Sequence, residues 1–200
     1  MPRPERSGPA ALRSRRTEFT TRSAEDGTGL TIEGYFIVYD QPYIIDAYLE
    51  EVICPGAIDE RTDTSDVRAL VDHVPHLVLG RTTANTLSLD FGDDYGVHGS
   101  IALNDQDTDA VNLYARAQRG DVDQASFGFD EDEVAYIDLP DGRTRREVRH
   151  ISKLWEVSVC TFPAYEQTYV AARSRLSDDA QQHRTEAAKK RLKRRLKHHA

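Results

Sequence analysis

Between Leu30 and Phe162 the sequence is broken into short apolar runs, most of them closed by a turn signal within a few residues. That punctuation constrains the fold more than any other feature. A helix needs roughly 10 residues of sustained 3.6-residue periodicity to bury a face, whereas a strand needs only about four to eight. Leu30-Thr-Ile-Glu-Gly-Tyr-Phe-Ile-Val-Tyr39 alternates, then becomes almost continuously apolar, and Asp40-Gln-Pro42 ends it. Tyr48–Cys54 reads as a second strand closed by Pro55-Gly56, and Val67–Val71 and Leu77–Leu79 as short strands on either side of Asp72-His-Val-Pro-His76. Leu87–Phe91 and Tyr95–Leu103 form a hairpin through Gly92-Asp-Asp94. Ser126–Phe129, Val134–Leu139, Glu147–Leu154 and Trp155–Phe162 follow, with Pro140-Asp-Gly142 as a turn. Residues 57–64 suit a short helix. Thr108–Arg119 suits a longer one, with Val111, Leu113, Tyr114 and Ala117 near helical spacing, Asp107 or Thr108 as cap and Gly120 as stop. The expected fold class is mainly β with α additions (α+β), as a barrel or sandwich.

Charge divides the same chain into three parts. Residues 1–22 hold six Arg and two Glu, and residues 173–200 hold ten Lys or Arg against three acids. The 150 residues between them carry a net charge of −19, although the whole chain stands at −8. Residues 1–29, rich in Arg, Ser, Thr, Pro and Gly, are expected to be a disordered basic leader; 30–172 form the folded domain; 173–200 form a basic tail with helical spacing of Leu192 and Leu196. An acidic body repels nucleic acid, so nucleic-acid binding is disfavoured except through the basic tail. No apolar run approaches the ~18 residues of a membrane span, and the basic N-terminus lacks an apolar signal region, so a soluble intracellular protein is expected. Cys54 and Cys160 stand far apart with no metal-ligand spacing, which points to reduced thiols, Cys160 in a buried strand.

The stretch Val122-Asp-Gln-Ala-Ser-Phe-Gly-Phe129 places a hydroxyl where a strand otherwise reads as core. A serine becomes a useful nucleophile only with a base in hydrogen-bond reach and a group that orients the base. Three of the seven histidines fall in the tail and His98 lies in the hairpin, which leaves His73, His76 and His150. His73 follows a strand directly, where the scaffold can hold it. His73, His76 and Asp72 also allow a metal-site reading, weakened because Pro75 prevents a helix from aligning two ligands and no further ligand motif follows. Spacing alone leaves Ser126 open between a nucleophile and a small residue that lets Phe127 and Phe129 pack. No G-x-S-x-G elbow occurs, so an α/β-hydrolase is disfavoured, while Gly128 supplies a flexible backbone position beside the serine.

Three segments taken in order change that balance: Val67-Arg-Ala-Leu-Val-Asp-His-Val-Pro-His-Leu-Val-Leu-Gly-Arg-Thr82, Arg119-Gly-Asp-Val-Asp-Gln-Ala-Ser-Phe-Gly-Phe129 and Leu154-Trp-Glu-Val-Ser-Val-Cys-Thr-Phe-Pro-Ala-Tyr165. With Gly34–Tyr39 and Glu51–Ala57, they make residues 30–172 resemble the prohead proteases of tailed bacteriophages. The resemblance implies a serine endopeptidase with a herpesvirus-protease-like β-barrel surrounded by helices. It implies Ser126 as nucleophile and His73 as base. Glu156 stands at the family's motif as the orienting third member, with His150 as the alternative because the herpesvirus enzymes use a second histidine there. Arg81 or backbone amides near Ser126 would hold the oxyanion. The implied partners are the major capsid protein and its scaffolding segment, with self-association and self-cleavage, inside the procapsid in the bacterial cytoplasm; no cofactor, metal or membrane is implied. The basic tails then read as packing signals or autocleavage sites. A rival reading is a scaffold or capsid-assembly protein with the same fold and no chemistry.

Overall fold

The computed structural model describes residues 11–17, 19–23, 29–161, 179–186 and 189. Its strands are β1 (Ala11–Arg16), β2 (Thr20–Ser23), β3 (Leu30–Val38), β4 (Tyr43–Asp46), β5 (Leu49–Ile53), β6 (Arg68–Val71), β7 (Val74–Arg81), β8 (Leu87–Asp90), β9 (Gly96–Leu103), β10 (Gln124–Asp138) and β11 (Thr144–Cys160). Helix α1 spans Thr108–Arg119, and a second helical stretch, α2, covers 179–186. The chain is mainly β, as its punctuation predicts. The described strands pair into two sheets rather than tracing one closed ring: a seven-stranded sheet ordered β1-β10-β11-β5-β4, with β6 joining β11 and β7 joining β6, and a four-stranded sheet ordered β2-β3-β9-β8.

The long hairpin β10–β11 organises the larger sheet. The expected separate strands Ser126–Phe129 and Val134–Leu139 are one strand, and so are Glu147–Leu154 and Trp155–Phe162, which ends at Cys160; Phe162 lies outside the described residues. Irregularities between Gly128 and Val134 allow this merger, since bulges bend a strand without ending its ladder. Each arm of β11 then takes a different parallel neighbour: Thr144–Val148 runs beside β5, and Glu156–Val159 beside β6. Between these two stations, residues 57–64 form turns instead of the expected helix. Their backbone bonds go outward to β11, with Ile151 N donating to Ala57 O at 2.7 Å and Asp63 N to Ser152 O at 2.9 Å. The Asp59 carboxylate meanwhile captures the Arg61 amide at 2.8 Å, which favours a turn over a helix.

The leader is not wholly without structure. β1 adds to the outside of β10 and β2 to the outside of β3, so part of the segment expected to be disordered supplies edge strands. Strand β4 was also not foreseen; Tyr43 and Ile45 bury while Ile44 is exposed, a two-residue alternation too short to stand out in the sequence.

The main core lies between the sheets and under α1. Phe127 and Phe129 stack with ring centroids 5.1 Å apart, and Ile32, Phe36, Val97, Ile101 and Leu154 close around them. At Gly99 a Cβ would come within 2.7 Å of the Phe36 ring, so only glycine lets that ring pack there. α1 is capped as the sequence predicts, by the Asp107 carboxylate and by Gly120 in the left-handed region at φ 81. Its buried face is Ala110, Leu113, Tyr114 and Ala117, with Ala110 taking the place expected for Val111. Part of the tail also docks: Ala180 of α2 is buried against Ile45 and Leu49, and His183 stacks on Tyr136. Leu192 and Leu196 lie outside the described residues.

Candidate active site

Two strand ends and one hairpin turn build the site. Val71 pairs with Val74 across β6 and β7, so Asp72 and His73 form a two-residue turn, and both have positive φ, 48° and 60°. That is the pattern of a type I′ hairpin turn, in which non-glycine residues pay a conformational cost of order 1 kcal/mol or more. The neighbouring strand compensates. Asp72 N donates to Val159 O at 3.1 Å, His73 N donates to Ser158 Oγ at 3.2 Å, and Thr161 N donates to the Asp72 carboxylate at 2.9 Å. The turn is therefore pinned to β11 from both of its central residues, which fixes where the His73 ring stands. Pro75 and His76 fall in the irregular stretch of β7, which among the described strands pairs with β6 alone and so forms an edge where a proline costs no ladder bond.

Strand periodicity assembles the rest. Val157 and Val159 face the core, so Glu156, Ser158 and Cys160 share the opposite face of β11. On β10 the residues across from them are Gly128, Ser126 and Gln124. Ser126 thus lies directly opposite Ser158 on the same face, at the ~5 Å Cβ separation of a cross-strand pair. Gly128 leaves the position opposite Glu156 without a side chain. Ser126 and Ser158 are fully buried and Glu156 is 5% exposed.

A carboxylate this buried must be paired. Glu156 Oε1 lies 2.6 Å from His73 Nδ1, and Ser158 Oγ donates to Glu156 Oε2 at 2.5 Å. Both carboxylate oxygens are used. The pairing places the proton on Nδ1 and leaves Nε2 as the basic nitrogen, which is the arrangement a general base requires. Nε2 stands 4.0 Å from Cys160 Sγ, a thiol buried in the strand as the sequence implies. Ser158 was not singled out from the sequence. Its signal was the alternation Glu-Val-Ser-Val-Cys, which puts three polar or sulfur side chains on one face.

The other sequence candidates are placed elsewhere. His150, the alternative third member, sits in the bulged part of the hairpin with Nδ1 2.5 Å from Asp132 Oδ1 and Nε2 3.3 Å from Asp59 Oδ1, so its ring is committed to that pair of acids. Nε2 there is off the line for a hydrogen bond although within ion-pair reach. Arg81, the guess for the oxyanion, forms a bidentate pair with Asp66, Nε to Oδ1 at 2.6 Å, and holds that carboxyl down to about 2. It is not brought to the serine. Asp72, weighed as a metal ligand with His76, instead accepts from Thr161. An open cleft of about 1030 Å³ lined by Thr17, Phe19, Tyr35, Tyr95, Arg119 and Asp123 lies at the Gln124 end of β10 and has none of His73, Ser126 or Glu156 in its wall.

A mainly β protein with an imidazole–carboxylate pair and a strand serine on one sheet face has the makings of a serine hydrolase. Residues 17–183 match the model of the caudovirus prohead serine protease family, and the chain belongs to that family. It is also similar to the prohead protease of Enterobacteria phage HK97, with 38% identity over 80 residues. That similarity covers 40% of this chain and 34% of the phage protein, so the chain aligns with about a third of that relative's length. No solved structure matches the chain significantly.

Proposed function

We propose that this protein is the serine endopeptidase of procapsid maturation, cleaving the scaffolding segment of the major capsid protein, and itself, inside the procapsid in the bacterial host. The observation that carries this reading is the buried His73–Glu156 pair on the sheet face that also bears Ser126. Family membership supports it independently.

On this reading Ser126 Oγ attacks a peptide carbonyl carbon as His73 Nε2 takes its proton. Glu156 stabilises the imidazolium that forms. The C–N bond then breaks, the leaving amine takes the proton from His73, and an acyl-enzyme remains on Ser126. Water, deprotonated by the same nitrogen, releases the acyl group and restores the hydroxyl. Backbone amides next to Ser126 are the oxyanion donors, with Gly128 allowing the strand to adjust. The two sheets with α1 are read as the counterpart of the herpesvirus-protease barrel.

Co-expression with the capsid protein tests the reading. Intact mass should show the capsid protein shortened by its scaffolding segment with wild type and full length with His73→Ala. Undiminished trimming by His73→Ala overturns it.

A further inference from the structure

We propose that the outer edge of β10 beside Ser126 is the docking edge for an extended, basic substrate polypeptide, and that β1 is its resident occupant in cis. The proposal rests on Ser126 being the nucleophile.

Along Gln124–Phe129, β10 has β11 on one side and β1 on the other. Without β1 this stretch would be a sheet edge with a row of unpaired N–H and C=O groups, the template on which an extended peptide is captured by strand addition. β1 fills it antiparallel over six residues, from Ala11 opposite Phe129 to Arg16 opposite Gln124, and Thr17 N donates onward to Asp123 O at 2.8 Å. The register sets Ser14 directly across from Ser126. Side chains stand perpendicular to a sheet, so a segment docked on this edge would have to lift out of the ladder at that position for its carbonyl to meet the Ser126 hydroxyl.

Ser126 is fully buried as the chain stands. A peptide carbonyl cannot approach a side chain in that state, so part of its surroundings must move before chemistry, and β1, which among the described strands pairs with β10 alone, is the neighbour held on one side. Its connections permit departure: β1 belongs to the larger sheet, whereas β2, which follows it, belongs to the other. Charge defines the class of occupant. Three of the six residues in Ala-Leu-Arg-Ser-Arg-Arg are arginine. The stretch of β10 it borders is preceded by Asp121 and Asp123 and followed by Asp130, Glu131, Asp132 and Glu133, an acidic surround even though Asp121, Glu131, Asp132 and Glu133 already pair with Arg119, Arg146, His150 and Arg61. Thr17 leads into the open cleft at the Gln124 end, which gives a longer polypeptide room beyond the sheet.

The test separates docking from catalysis by reading binding in a Ser126→Ala background. A fluorescein-labelled peptide of residues 10–17 is titrated by anisotropy into the full chain with and without Arg13→Pro and Ser14→Pro, which together remove β1 amide donors in either ladder phase. The proline variant should bind the peptide roughly tenfold more tightly than its parent, the loss of a ladder bond and the proline clash freeing the edge. Equal affinity, or no binding to either, overturns the proposal. Should the proline variant fail to fold, the peptide is added in excess to the full chain carrying only Ser126→Ala. Hydrogen exchange of amides 11–16 must then accelerate with peptide concentration, and unchanged protection overturns the proposal. Tight binding by the proline variant, together with absence of capsid-protein trimming by the protein with Ser126 intact, would sink the proteolysis reading while sustaining the docking edge.

Discussion

The proposed chemistry rests on a few atoms. In the proposed mechanism Glu156, 2.6 Å from His73 Nδ1, fixes the tautomer of the ring, so Glu156→Gln should leave the fold intact and lower kcat by about 10⁴ with little change in KM, read from cleavage of a capsid-protein substrate. A proportional rise in KM instead would mean that Glu156 serves binding. Ser158 acts through its neighbours: its hydroxyl holds both the Glu156 carboxylate and the strained His73 amide. A hydrogen bond to a charged group is worth about 1.5–3 kcal/mol, so Ser158→Ala should reduce kcat roughly tenfold to a hundredfold, again at nearly constant KM. Ser158→Thr should recover part of the loss if the hydroxyl is what matters. His73, Ser126 and Glu156 were candidates from the sequence because each falls in a stretch that resembles the family, and the structure brings His73 and Glu156 together on the sheet face that carries Ser126. Ser158 was not, because a serine between two valines reads as an ordinary strand residue until its cross-strand partner is known.

At the level of elements, the site depends on β11 being held in two parallel pairings at once, and the 57–63 turns lie between them. Lys153 Nζ meets Asp63 Oδ2 at 2.6 Å beside the isolated bridge that joins these segments. Hydrogen bonds from Lys153 and then Ser65 hold the Asp63 carboxyl down to about 2, below the ~4 of an unfolded chain. A depressed carboxyl stabilises the fold fully above about pH 4, and that contribution fades as pH falls through about 2. Asp63→Asn should therefore lower stability slightly at pH 7, by on the order of 0.5 kcal/mol once solvent screening is counted, seen as a small drop in Tm. The gap from wild type should close between pH 4 and pH 2 in thermal melts; a gap independent of pH would assign the effect to packing. Sequence periodicity found most strand positions, yet it divided β10 and β11 in two, since bulges look like breaks when the partner strand is unseen. It also took 57–64 for a helix, because nothing local reveals that those backbone groups bond to β11.

On the scale of the whole molecule, an acidic body flanked by basic ends was plain from charge alone, and the structure shows what part of those ends does. β1 completes the sheet edge beside Ser126, and α2 docks through Ala180 and Arg184 on the β4–β5 side, with Arg184 Nη1 donating to Tyr48 O at 3.3 Å. Composition could not foresee either docking, because polar, charged segments carry little apolar periodicity to mark them as part of a fold. The central claim is that Ser126 is the nucleophile of this assembly. Its most direct test is the rate of capsid-protein trimming, followed by intact mass, for wild type, Ser126→Ala and Ser158→Ala at matched thermal stability. The account predicts that Ser126→Ala loses trimming by about 10⁴-fold or more while Ser158→Ala retains a measurable fraction. Trimming by Ser126→Ala at the wild-type rate, or abolition by Ser158→Ala alone, would contradict it.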